Sequence, residues 1–143
     1  MRRTTFSVAS LLLLAGAAHA LMPPEVYRRA RADAAYHVQI GITKVEAPRH
    51  GPGGCSVEGQ VLKIFKNTDD GLAMDETIDF PVACYRRGDT VPIGGTLWLD
   101  TDQLEKADYI EVYLNKDGAG FEPALWSYQL IPNLSDTPQM PVE

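Results

Sequence analysis

The chain is short of most of what a catalytic centre is made from. Its 143 residues hold only two cysteines and three histidines. Beyond residue 20 the histidines are His37 and His50, and the serines are Ser56, Ser127 and Ser135. No G-x-S-x-G elbow is present, and His50 sits in a Gly/Pro loop that gives a base little preorganisation. Two histidines thirteen residues apart do not make a zinc site. Positive charge is also scarce, with 13 Lys and Arg against 19 Asp and Glu and a net charge of −6. Such a surface repels phosphate backbones, which excludes a nucleic-acid partner. Past the N-terminal segment there is no apolar run of about 18 residues, so no membrane-spanning helix is expected there.

What is present begins with an export signal. Arg2 and Arg3 form a positive n-region, Leu11–Leu14 lie in an apolar h-region, and Ala18-His19-Ala20 supplies a small-x-small cleavage pattern. Residues 1–20 are therefore expected to be a Sec-type signal peptide cleaved after Ala20, in a chain whose leader and composition look bacterial, and the protein to be periplasmic or secreted. Losing Arg2 and Arg3 takes the net charge from −6 to −8. In an oxidising compartment an even cysteine count reads as a disulfide. The pair is Cys55 and Cys84, and with both bridged no thiolate remains.

Residues 23–35 carry Val26, Ala30 and Ala34 on one stripe behind Pro23 and Pro24, the pattern of a short helix. From Tyr36 the period becomes two: Tyr36, Val38, Ile40 and Ile42 alternate with His37, Gln39, Gly41 and Thr43. Further strands are read at Cys55–Phe65, Glu76–Val82, Thr96–Asp100, Tyr109–Leu114 and Phe121–Ile131. Turn chemistry separates them at Asn67–Gly71, Arg86–Gly95 and Lys116–Gly120. Gly59 within a strand signals a bend or a close backbone approach. A second short helix is expected at Asp102–Ala107, with Asp102 and Glu105 as a capping pair. Residues 132–143, with three prolines, read as a flexible tail. The expected fold is all-β with one or two short helices. It forms a small closed β-barrel of five or six strands in one domain, residues 21–131. An immunoglobulin-like sandwich is the rival, but no tryptophan lies between the cysteines.

The stretch RADAAYHVQIGITKV, then CSVEGQVLKIFKN, then Cys84, then GGTLWLD resembles the netrin-module family, which includes the tissue inhibitors of metalloproteinases. The resemblance covers about residues 27–131 and implies an OB-type barrel. The inhibitors' zinc-chelating N-terminal cysteine has no counterpart in a chain beginning at Leu21, so the inhibitory mechanism does not carry over.

The acidic groups Asp69, Asp70, Asp75, Glu76, Asp79 and Asp100, Asp102, Glu105 do not match a calcium loop and read as solvated turns and a helix cap. Arg87-Gly88-Asp89 spells an adhesion tripeptide but reads as a turn. The functional hint lies in the aromatics. With Leu97, Leu99, Ile110, Val112 and Leu114 inward, Trp98, Tyr109 and Tyr113 point outward, as an exposed interaction patch or as rings covered by the helix at 23–35. His37, on the polar side of its strand, reads as a structural group. The expectation is a non-enzymatic exported module without metal or cofactor. It would bind an envelope or extracellular protein or, alternatively, a small molecule or oligosaccharide in an OB-type barrel.

Overall fold

Strand periodicity dominates the chain, and the elements it specifies form one rolled sheet. The computed structural model describes residues 22–143, so the signal peptide expected at residues 1–20 lies outside the described residues. Helix α1 spans Pro24–Asp33 and is followed by β1 (Tyr36–Glu46), β2 (Gly53–Asn67), β3 (Thr77–Tyr85) and β4 (Leu99–Asp100). Helix α2 (Thr101–Lys106), β5 (Tyr109–Asp117) and β6 (Gly120–Ile131) complete the order. The helix after β4 starts one residue earlier than expected, because the Asp100 carboxylate caps the N–H groups of Asp102 and Gln103.

The six strands pair in the order β4-β3-β2-β1-β5-β6, antiparallel except for the short parallel contact of β3 with β4. Tyr36, Val38, Ile40, Val57, Phe80, Ile110, Val112, Leu114 and Tyr128 fill the concave side. Gly59 stands opposite Ile42, where a Cβ would collide with the Gly41 carbonyl oxygen and with Ile40. That is the close approach read from the sequence. Cys55 and Cys84, both fully buried, form the expected disulfide between β2 and β3, with their Cα atoms 5.7 Å apart.

The barrel does not close. Strands β3 and β6 lie side by side, but no backbone ladder joins them. The Tyr128 hydroxyl bridges the gap: it accepts from the Ala83 N–H (3.0 Å) and donates to the Leu97 carbonyl (2.6 Å). Two features keep the edges apart. Ala83 aims its N–H across the seam, so Pro81, two residues back on the same edge, faces it with no N–H to offer. On β6, four residues (124–127) stand opposite the single Tyr113 of β5, between the pairs Val112–Tyr128 and Leu114–Pro123. Within that bulge Leu125 (φ 41°) and Trp126 (φ 52°) are left-handed, which bulky residues seldom adopt.

Two expectations about the ends of the fold are corrected. Of Thr96–Asp100 only Leu99–Asp100 is strand, and Leu97, expected inward, is exposed because it precedes the pairing with Cys84 and Tyr85. Residues 132–143 do not fray. They lie along the convex face of β1 and β5 and bury Met140 against Ala34, Tyr113 and Ala124.

Candidate functional site

The three outward aromatics do not make one patch. Tyr113 is fully buried: its ring stacks on His37 at 3.7 Å and its hydroxyl donates to the Met140 carbonyl at 2.7 Å. Helix α1 covers part of it through the Arg31 guanidinium, 6.0 Å from the ring centre, and its C-cap residue Ala34 packs in the same cluster. Residues 132–143 cover the rest, which the sequence reading did not foresee. Tyr109 is half-buried at the start of β5, between Gly41 and Ile131. Trp98 lies elsewhere, at the open seam.

Beneath residues 132–143 sits a polar cluster on the convex face. Glu111 is fully buried, and its carboxylate accepts four hydrogen bonds. His37 Nε2 (2.7 Å) and the Met140 N–H (2.9 Å) donate to Oε1, while Gln39 Nε2 (2.8 Å) and the Gln139 N–H (2.9 Å) donate to Oε2. Burial pushes the Glu111 carboxyl up, but the bonds from Gln39, Gln139, Met140 and His37 outweigh it and hold the group below the usual carboxylate range. Burial likewise lowers the His37 pKa, against the pull of Glu111. The imidazole is therefore neutral at pH 7 and gives its Nε2–H to an acceptor-only carboxylate.

A histidine meeting a carboxylate is one requirement for general base chemistry. The rest of that machinery is not beside it. The aromatic neighbours of the His37 ring are Phe65, with centroids 5.0 Å apart, and Tyr113. Neither His37 nor Glu111 lines the seam cleft or the hollows beside α1. Ser127 accepts from Arg31 and Ser135 donates to the Thr137 carbonyl, so neither hydroxyl is aimed at the imidazole.

The seam carries an accessible cleft. Its volume is about 310 Å³, and its walls are Pro81 and Val82 of β3, Pro123, Leu125 and Trp126 of β6, and Trp98. Gly53, Gly54, Ala83, Glu122 and Tyr128 line it as well. The Trp98 indole N–H is buried without a hydrogen-bond partner, the one such side-chain atom among the described residues. An unpaired buried donor costs about 1–3 kcal/mol. Leu125 also lines two hollows against Val26, Ala30 and Asp33 of α1, so the bulge separates the seam from the helix.

The seam residues were only partly legible. Trp98 is among the aromatics the sequence marks; Trp126 packs against the core and also walls the cleft, through a bulge that unbroken alternation along Phe121–Ile131 does not show. The consecutive apolar pair Leu125-Trp126 was the available sign of a bulge. Glu111, between Ile110 and Val112, gave no sign of burial, because the residues that cover it lie 28 and 29 positions away. Arg86–Asp89 forms the turn expected of it: the Asp89 carboxylate accepts from the Arg86 N–H at 2.8 Å, and Gly88 has φ 93°. Among the described residues no three metal-ligating side chains converge, and no helix is long and apolar enough to cross a membrane. No protein-family model matches the chain, and a search of curated proteins found no significant match.

Proposed function

We propose that this chain is an exported, non-enzymatic binding module whose partner is an envelope or extracellular protein seated at the open seam. One observation carries the reading: an apolar cleft walled by two prolines and two tryptophans, one of which, Trp98, keeps its indole N–H buried and unpaired. Aromatic residues are enriched where proteins meet partners, and Trp is prominent among the side chains that dominate binding energy. The strained Leu125-Trp126 backbone agrees, since strain of that kind collects at functional sites. Pro81 blunts the β3 edge against the addition of a strand, which favours recognition through side chains over a backbone ladder. The buried disulfide fits an oxidising compartment. The resemblance of the RADAAYHVQIGITKV and CSVEGQVLKIFKN stretches to netrin modules points to an interaction role as well.

The test is a comparison of Trp98→Ala and Trp126→Ala with the unaltered chain in native copurification from the envelope fraction. The expected result is one or a few proteins retained by the unaltered chain and reduced about tenfold or more by either substitution, as for loss of a hot-spot residue. Saturable quenching of tryptophan fluorescence by oligosaccharides, with no protein retained, would replace the protein partner by a carbohydrate. Equal retention by all three chains would overturn the site.

A further inference from the structure

The convex face of β1 and β5 holds residues 132–143 as a bent segment, which Gln139 Nε2 closes on itself by donating to the Asn133 carbonyl (2.7 Å) and to Ser135 Oγ (3.0 Å). Glu111 is met there by N–H donors, two of them the successive backbone N–H groups of Gln139 and Met140. The Gln39 side-chain amide serves Ser135 twice: its Oε1 accepts from the Ser135 N–H (2.9 Å) and its Nε2 donates to Oγ (2.8 Å). The Tyr113 hydroxyl takes the Met140 carbonyl, and the Met140 side chain is 5% exposed between Ala34, Tyr113 and Ala124. At the margins Lys63 pairs with Asp136 at 2.7 Å, and Arg31 donates to the Pro141 carbonyl at 3.0 Å. Side chains of the sheet thus read the backbone of the segment. The segment itself forms no helix or strand and leaves Pro132, Asn133, Thr137, Pro138 and Pro141 exposed.

We propose that this face is a peptide-recognition site, distinct from the seam, and that residues 133–142 are its resident ligand. In trans it takes a bent peptide of the same chemistry. That peptide offers two successive free backbone N–H groups to Glu111, an unbranched apolar side chain on the second residue, and an acid four residues before it. The resident segment competes at the millimolar effective concentration of a short tether, so an outside peptide engages only when the resident one is weakened. Of the three aromatics expected to share an outer face, only Tyr113 lies here, and the chain's own segment covers it.

The probe is a fluorescent synthetic peptide of residues 132–143, titrated into full-length chains. Met140→Ala weakens the resident segment, and this chain is expected to bind the probe about tenfold or more tightly than the unaltered chain. Adding Glu111→Gln or Tyr113→Phe to it should lose about tenfold, and a probe carrying Met140→Ala should bind neither chain. A Met140→Ala chain that binds no better than the unaltered one, or binding indifferent to both Glu111→Gln and Tyr113→Phe, would overturn the site. Hydrogen exchange on the unaltered chain supplies a reading that needs no variant. The amides of Gln139 and Met140 should exchange about tenfold or more faster than those of Val38 and Val112, through local release of the segment. Equal protection at all four would show that the segment opens only when the whole domain unfolds, and would contradict the proposal.

Discussion

Glu111→Ala is expected to lower the unfolding free energy by about 3–5 kcal/mol, the usual cost of removing one partner from a buried charged network. The substitution leaves His37 Nε2–H, the Gln39 amide and the N–H groups of Gln139 and Met140 facing a void. The residues beneath would not relax into it, because Tyr113 and His37 are stacked and Gln39 is also committed to Ser135. Glu111→Gln keeps the shape and one acceptor but turns an NH2 toward donors, for a smaller loss of about 1–3 kcal/mol. Chemical denaturation followed by circular dichroism measures both, and a loss below about 1 kcal/mol for Glu111→Ala would contradict the described network.

The same network fixes the direction of the acid response. The folded-state pKa of Glu111 lies below its unfolded value, so its contribution is present above about pH 4.5 and is lost as the pH falls further. His37 is also lowered, so the unfolded chain takes up its proton first and stability declines as the pH drops below about 6.5. The charged and titratable groups facing the pair do not reverse this. Arg31 of α1 and Lys66 of β2 oppose protonation of His37, Tyr113 of β5 is neutral, and Lys63 is paired with Asp136. Stability therefore falls from pH 7 to pH 4, and the Glu111→Gln chain should show a shallower fall below pH 4.5.

Cys55→Ser is expected to cost about 2–5 kcal/mol, typical for a disulfide in a small secreted domain. The bridge spans 29 residues, which gives about 3–4 kcal/mol in the chain-entropy account. The open barrel makes its position matter. Strand β3 pairs fully only with β2, while its other edge meets the two residues of β4 and the Tyr128 hydroxyl. Without the sulfur link the seam edge rests on one ladder, so reduction should lower the melting temperature and expose the tryptophans of the cleft. A melt unchanged by reductant would show that the bridge contributes nothing.

Much of this architecture was legible because alternation and turn chemistry are local. Tyr36–Ile42, Ile78–Val82 and Ile110–Leu114 each declare a strand and its inward face, and two cysteines allow one pairing. The seam was not legible, since closure depends on whether β3 and β6 offer complementary edges. That was decided by Pro81 and by three extra residues in β6 whose effect appears only in register. The burial of Tyr113 was hidden for a related reason. A proline-rich, polar segment looks solvated until Glu111, Gln39 and Tyr113, from strands far away in sequence, supply its hydrogen bonds.

The seam as a binding site is tested most directly by site-resolved photocrosslinking in the native envelope. A photoreactive residue is placed at Leu125, on the bulge that walls the cleft, and in a second chain at the exposed Lys44 of β1, with which none of the cleft walls pairs. The account predicts a discrete protein adduct from position 125 that Trp98→Ala abolishes, and none from position 44. Equal crosslinking from both positions, or an adduct from 125 that persists with Trp98→Ala, would contradict it.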